Sequence, residues 1–455
     1  MALRLFYVIA LPQTGGDSVY YADVAKNLLA HGSVALTDPN GEPVRICSRL
    51  PGYSAFVALV FAVFGVDRFL PLLAVQVAVD LGTCFLTSEL ARTLVGERAA
   101  RTAFSLAALC PFLAEYAAGA YAETLAVFLT ALALLLLARG LAPCAVSPQE
   151  DRGAPPIKTA FLCGAALAAG ILVRVDTGIL LLAICGYLGR EAWRRARRRR
   201  EWALFTAILA ATALSPLLPW TVRNWIVFHR LQPLAPLQAQ EPHEHVDGIL
   251  RWMQTWLVDE ISVREVYHRI GVAPVELTAL PARAIDSPEE ARRTQALLDV
   301  ANTTRALTPA LDNQFAALAD ERIRRSPLRY CLYVPLLRLA SIWLRPRVEL
   351  LPVDQYWWRF PKSPRDTLVT ASLGLLNLFL LTAAGAALIA RRRVLCGGLL
   401  VTFIVARSLC LSSILPEARY TLECFPAIIV LAAAGLASRR GDERGAFVDS
   451  TAAGP

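Results

Sequence analysis

REAWRRARRRRE, residues 190–201, sets seven arginines in twelve positions between apolar segments at 177–189 and 202–220. A run this basic, flanked by greasy segments, resists transfer through a bilayer, and positive loops are retained on the cytoplasmic side. It reads as a solvated topogenic loop before it reads as an anionic-lipid or nucleic-acid site. Its side then fixes the side of every other loop.

Working outward, further candidate spans fall at 70–91, 99–115, 121–138, 157–173, 366–390, 394–413 and 423–438, after a partial one at 1–12. Several approach the about 20 residues that a helix needs to cross the hydrocarbon core. Hydrophobic residues are 56% of the 455, so the chain reads as an integral membrane protein. Lipid cannot satisfy a bare backbone, and these runs are too long and too uniformly apolar for alternating barrel strands, so the spans are helical. The expected fold is an all-α polytopic membrane protein of about ten transmembrane helices, the first truncated. Ten cysteines form no CxxC pair and mostly fall inside apolar runs, which indicates packing. The net charge of +9 does not point to nucleic acid, because the basic residues are almost all Arg and cluster between spans.

The same count puts Arg92, Arg98, the 139–156 linker, Arg391 to Arg393, Arg439, Arg440 and Arg444 beside residues 190–201. Every basic turn agrees. The connections at 13–69, 116–120, 174–176, 221–365 and 414–422 fall on the other side, and they hold Asp17, Arg49, Glu123, Arg174, Asp176, PWTVRN (219–224) and PEARY (416–420). Polar clusters far apart in sequence thus share one membrane face, as an active site at a lipid-water boundary requires.

Two segments break the pattern. PGYSAFVALVFAVFG, 51–65, is short, and counting it as a span would reverse every later loop, so it is expected to lie along the membrane. Residues 327–344 carry Arg329, Pro335 and Arg338 and read as an interfacial helix. Between 241 and 326 the chain is polar with helical patches, the pattern of a small external cap. The expected organisation is an N-terminal transmembrane module, 1–220, with an external catalytic loop at 13–69. An external region at 221–365, C-terminal helices at 366–440 and a disordered tail at 441–455 follow. Asp80 and Arg407 lie inside apolar spans, where a charge requires a partner; an ion pair between the two is one option, against which stands the difference in their estimated depths.

The order of GDSVYYADVAKNL (16–28), RLPGY (49–53), YAE (121–123), LVR (172–174), PWTVRN and PEARY resembles the GT-C glycosyltransferases. The likeness is to the family 39-like group of protein O-mannosyltransferases and lipid A aminoarabinose transferases. It implies a GT-C-like bundle and an inverting transfer of a sugar from a polyprenyl-phosphate donor to a lipid, glycan or protein acceptor. The setting implied is the outer face of a membrane, in a bacterium the periplasmic or extracellular face of the inner membrane. By the same resemblance Asp17 is the catalytic base or acceptor-orienting group. Arg49 contacts the donor phosphate, with Arg174, Arg223, Arg419 and Tyr420 as further donor-binding candidates. Tyr20, Tyr21, Glu123, Asn224 and Glu417 are candidates for acceptor binding or site support.

Each assignment has a plainer rival. Asp17 can cap the helix that follows it, Arg49 can snorkel to headgroups, and Glu123 can cap its helix or pair with an Arg. Arg223 and Arg419 can anchor loop ends, and Tyr420 can be an interfacial aromatic. Ser18, not a second acid, follows Asp17, which counts against a divalent metal held by an adjacent acidic pair but leaves a metal as an open option, and no other cofactor is indicated. No charged leader with a small-residue cleavage site opens the chain. Two other readings stay open, a transporter or flippase of lipid-linked glycans and a catalytically inactive acceptor-binding relative. Against the first, there is no convincing inverted repeat.

Overall fold

The structure is a computed structural model, and it describes residues 1–145, 153–236, 246–354, 356–358, 363–390, 392, 394–413 and 415–437. The expected tail at 441–455 and Arg391, Arg393, Arg439, Arg440 and Arg444 lie outside the described residues.

The chain is an integral membrane protein built almost wholly of helices. Among the described residues, Phe69–Leu94, Glu123–Cys144, Pro364–Ile389 and Ala418–Ala437 are long and apolar enough to cross a membrane. A fifth is added if Arg199–Leu214 and Leu217–Phe228, bent by 40°, form one span. Ile157–Val173 and Gly397–Leu411 are apolar but shorter. Counted by length and composition, the spans therefore number fewer than the ten expected from hydropathy. Prolines account for part of the difference. Pro111 opens a new helix, Pro111–Ala117, so the stretch expected as one span at 99–115 is two helices meeting at Leu109 and Cys110. Pro216 starts Leu217–Phe228 in the same way, since its ring suits a helix start and clashes within a helix. That helix runs through the boundary expected between 220 and 221, and PWTVRN is helical.

Two ends of the bundle are chemically distinct. At one end Arg139 bonds Glu89 at 3.0 Å, Arg92 bonds Glu97 at 2.7 Å, and Arg195 pairs with Glu191. At the other end Glu123 opens the helix Glu123–Ala145 and Asp176 precedes Gly178–Arg194. The basic turns and the polar motifs thus separate as their alternation along the chain requires.

Gly52–Phe64 is apolar but shorter than a membrane span. Its 13 residues extend only about 20 Å, and it packs along the first turns of Phe69–Leu94, with Tyr53 donating to Gln76 at 2.6 Å and Phe61 edge-on to Phe69. Its first residue admits no side chain. A Cβ on Gly52 would lie 2.5 Å from the Leu172 carbonyl carbon, which pins the RLPGY loop against the end of Ile157–Val173. The 13–69 segment also holds a two-stranded antiparallel hairpin, Ala35–Thr37 with Pro43–Arg45, which the all-helical expectation lacked.

The buried charges find partners, though not each other. Arg4, fully buried on the opening helix Ala2–Ala10, bonds Asp80 at 2.6 Å and the Ala107 carbonyl at 3.0 Å. Arg407 instead bonds Asp176 at 2.7 Å and Glu423 at 2.9 Å.

Residues 246–326 form a small unit with its own core. Trp252 lies edge-on to Trp256 at 5.2 Å and against Phe315 at 5.1 Å. Its helices Pro288–Thr304 and Pro309–Arg325 begin alike, with Ser287 and Thr308 hydroxyls accepting backbone N–H bonds and a proline in the first turn. Arg338, buried on Val334–Leu344, donates to the carbonyls of Leu257 at 2.7 Å, Ser412 at 3.1 Å and Gln254. It therefore fastens this unit to the loop that precedes PEARY.

Candidate active site

Asp17 is the first residue of helix Asp17–His31, behind Gly16 at φ +60°. Gly16, not Asp17, occupies the capping position. The Asp17 side chain is held by two guanidiniums, Arg49 at 2.7 Å and Arg419 at 3.0 Å, from segments 32 and 402 residues away. Burial pushes the Asp17 carboxyl up, but Arg49 and Arg419 outweigh it and hold the group well below the usual carboxylate range.

Arg49 does not reach outward to solvent. Its guanidinium lies 4.4 Å from the centre of the Tyr20 ring and 5.0 Å from that of Tyr21, so the two tyrosines support an arginine that faces Asp17. The Tyr20 hydroxyl is 2.9 Å from the Ser48 hydroxyl, which ties the same helix to the RLPGY loop.

Arg174 ends Ile157–Val173 and donates to Glu123 at 2.7 Å and to Asp176 at 3.0 and 3.1 Å. Arg419 pairs with Glu417 and comes within 3.8 Å of Glu123. The Tyr420 ring lies 5.3 Å from both Arg174 and Arg419. Beneath it the buried Arg407 donates to the Tyr420 carbonyl at 2.8 Å as well as to Asp176 and Glu423. For Asp176, burial again raises the carboxyl and its two arginines outweigh it; for Glu417, burial prevails over Arg419 and the carboxyl is raised.

These groups line a cavity of about 430 Å³, within the roughly 300–1,000 Å³ range of small-molecule sites. Asp17, Arg49, Arg174 and Arg419 form its charged side, and Leu411 and Leu415 part of an apolar one. Tyr267 and His268 of the 246–326 unit complete it, two residues that nothing in the sequence singles out. Arg223 and Asn224 are elsewhere. Arg223 donates to the carbonyls of Ile46 at 2.6 Å and Val34 at 3.0 Å, and Asn224 to that of Gln232 at 2.9 Å, the contacts of a loop anchor. Among the described residues no group of three or more His, Cys, Asp or Glu side chains is arranged to hold a metal.

The arrangement combines three carboxylates, Asp17, Asp176 and Glu417, paired with three arginines around one volume, and a partly apolar wall. Such a site can bind a phosphate ester with a lipid tail and accept a proton beside it.

Residues 48–220 match the family model described as dolichyl-phosphate-mannose-protein mannosyltransferase. That stretch includes Arg49, Glu123 and Arg174; Asp17 and PEARY lie outside it. No curated protein matches the chain in sequence. Among solved structures, the oligosaccharyltransferase AglB from Archaeoglobus fulgidus, in complex with an inhibitory peptide and a dolichol-phosphate, is similar at a TM-score of 0.49 and 12% identity. The match covers 100% of this chain and 52% of that one. ArnT from Cupriavidus metallidurans, bound to undecaprenyl phosphate, is similar at 0.38 and 13%, covering 99% of this chain and 78% of that one. The chain spans about half the length of the oligosaccharyltransferase. In sequence, over residues 48–220, the chain resembles the dolichyl-phosphate-mannose-protein mannosyltransferases.

Proposed function

We propose that the protein is an inverting glycosyltransferase that moves a sugar from a polyprenyl-phosphate donor to an acceptor hydroxyl at the outer face of a membrane. The observation that carries this reading is the double ion pair of Asp17 with Arg49 and Arg419 inside the cavity. The family match over residues 48–220 supports the donor class.

In the proposed reaction the acceptor oxygen attacks the anomeric carbon while the bond from that carbon to the phosphate oxygen breaks. The bonding pair leaves with the lipid phosphate. The acceptor proton passes to Asp17. Arg49, Arg174 and Arg419 stabilise the charge that grows on the phosphate, a task suited to planar, bidentate guanidiniums.

The resting geometry bears on the order of events. A carboxylate held low by two arginines is a weak base, because proton acceptance is favoured when the group's pKa lies near the working pH. A donor phosphate arriving in the cavity competes for the same guanidiniums. As they turn to it, Asp17 recovers basicity next to the bond about to break. Donor binding thus readies the base.

The test is transfer of a labelled sugar from a defined polyprenyl-phosphate donor by the wild type and by Asp17→Asn. The amide is nearly isosteric but cannot take the proton as a carboxylate does, so the rate is expected to fall by about 10² to 10⁴. Near-normal transfer by a folded Asp17→Asn protein overturns the role given to Asp17. Movement of the intact lipid-linked sugar across the membrane without bond cleavage, by the wild type, overturns the transferase reading in favour of a flippase.

A further inference from the structure

A second cavity, of about 590 Å³, is lined in part by the residues just before two that line the first. Its walls come from four separate segments: the turn at 259–265, the loop at 278–283, the end of Val334–Leu344 with the residues after it, and Tyr356 to Trp358. One short stretch serves both cavities. Glu260 and Glu265 line the second, while Tyr267 and His268, one further turn along, line the first. Glu260 is also close enough to Glu417 of the first cavity for the two charges to repel.

The chemistry of the walls is specific. Tyr356 and Trp357 each stand edge-on to Trp358, at 5.4 and 5.9 Å, and Trp358 is 52% exposed, so flat aromatic faces border the opening. Opposite them are three carboxylates, Asp259, Glu260 and Glu265, and two guanidiniums, Arg283 and Arg345. Arg283 is engaged with Asp259 and with the Trp256 carbonyl at 2.9 Å. Glu260 is only 8% exposed; one oxygen accepts from Arg264 at 3.2 Å, and the other receives no hydrogen bond, with Arg345 at 3.5 Å. A buried carboxylate oxygen with spare acceptor capacity calls for a donor.

An anionic ligand is disfavoured here, since three carboxylates face only two guanidiniums. A flat apolar ligand would leave the acids unused. A sugar meets both demands. The C–H face of a pyranose covers an aromatic ring, and its hydroxyls donate to carboxylates and accept from arginines.

We propose that this second cavity binds the glycan portion of the acceptor, a neutral oligosaccharide whose reacting hydroxyl is presented to Asp17 in the first cavity. The assignment rests on the transferase reading for its purpose, but the binding itself does not. Because the segment at 260–268 borders both volumes, a glycan seated on Trp358 and Glu260 extends toward Tyr267 and His268 without leaving the protein surface.

The experiment uses the full chain in detergent, with the neutral pentasaccharides of mannose, glucose and N-acetylglucosamine as probes and a serine- and threonine-containing peptide as the rival. Binding is followed by saturation-transfer NMR and by titration. At least one pentasaccharide is expected to bind the wild type. Trp358→Ala, which removes a stacking face at an exposed position, and Glu260→Gln, which removes the charge behind a hydroxyl contact, should each weaken it by about tenfold. Absence of any pentasaccharide binding, binding that neither variant weakens, or preference for the peptide overturns the assignment. Glycan binding that needs Trp358, in a protein that transfers no sugar, upholds this site and sinks the transferase reading alone.

Discussion

At Asp17 one carboxylate is shared by two arginines, and the two have different parts to play. Arg49 is stacked on Tyr20 and Tyr21 and has little freedom, whereas Arg419 also holds Glu417 and can be exchanged between acids. Arg49→Ala should therefore weaken binding of a polyprenyl-phosphate sugar and of polyprenyl phosphate alone by the same factor. Arg49→Lys should retain part of both, because charge survives without the planar fork. Unchanged affinity for both ligands in Arg49→Ala would remove the phosphate from this residue. The pH dependence has a definite sign. A carboxyl held below its ordinary value adds stability that is complete above the unfolded-state pKa and is lost as pH falls through the folded-state one. The difference in Tm between the wild type and Asp17→Asn should thus be the same at about pH 7 and about pH 5, both above the unfolded-state value of about 3.9. The difference should shrink only on acidification below about pH 3.9; a difference that stays constant there would mean that Asp17 titrates as an ordinary carboxyl.

At the scale of elements, the 246–326 unit matters because it supplies Tyr267 and His268 to the cavity. Arg338 is the fastening, and its removal leaves three buried carbonyls without a donor. Arg338→Met, which keeps the stem and loses the donors, should cost about 1.5–3 kcal/mol. Thermal unfolding and the rate of tryptic cleavage within 246–326 measure it; an unaltered cleavage rate would show that the unit stays attached without this residue. Much at this scale was legible in the sequence. Helices at 157–173 and 52–64 follow from apolar run length, and the convergence of Asp17, Arg49, Arg174 and PEARY from the alternation of basic loops. Helix ends were less so. Hydropathy averages over Pro111 and Pro216, where the backbone breaks while the side chains remain apolar. Arg407 was visible as a charge needing a partner, but its acids, Asp176 and Glu423, come from another loop and from the start of the last helix, a depth that run length alone does not give. Tyr267 and His268 carried no pattern at all, since a cap's contacts depend on how it docks.

At the scale of the whole molecule, the separation of basic turns from polar motifs predicts sidedness. In a cysteine-depleted chain, Thr303→Cys, exposed on the 246–326 unit, should react in intact cells with a reagent that does not cross membranes, and Arg197→Cys should not. Labelling of Arg197→Cys from outside would invert the assignment and with it the face on which sugar is transferred.

The span of the Asp17–Arg419 pair, 402 residues, has a consequence for biogenesis. Asp17 meets Arg49 almost as soon as both have left the ribosome, but its second arginine is made only when the last helix is about to enter the membrane. Until then the cavity lacks PEARY, and Arg407 lacks Glu423. A chain halted anywhere before residue 419 thus has a donor-facing carboxylate without its full clamp. On the proposed function such a chain lacks one of the three arginines set to hold the donor phosphate, and truncation before residue 419 is expected to abolish sugar transfer.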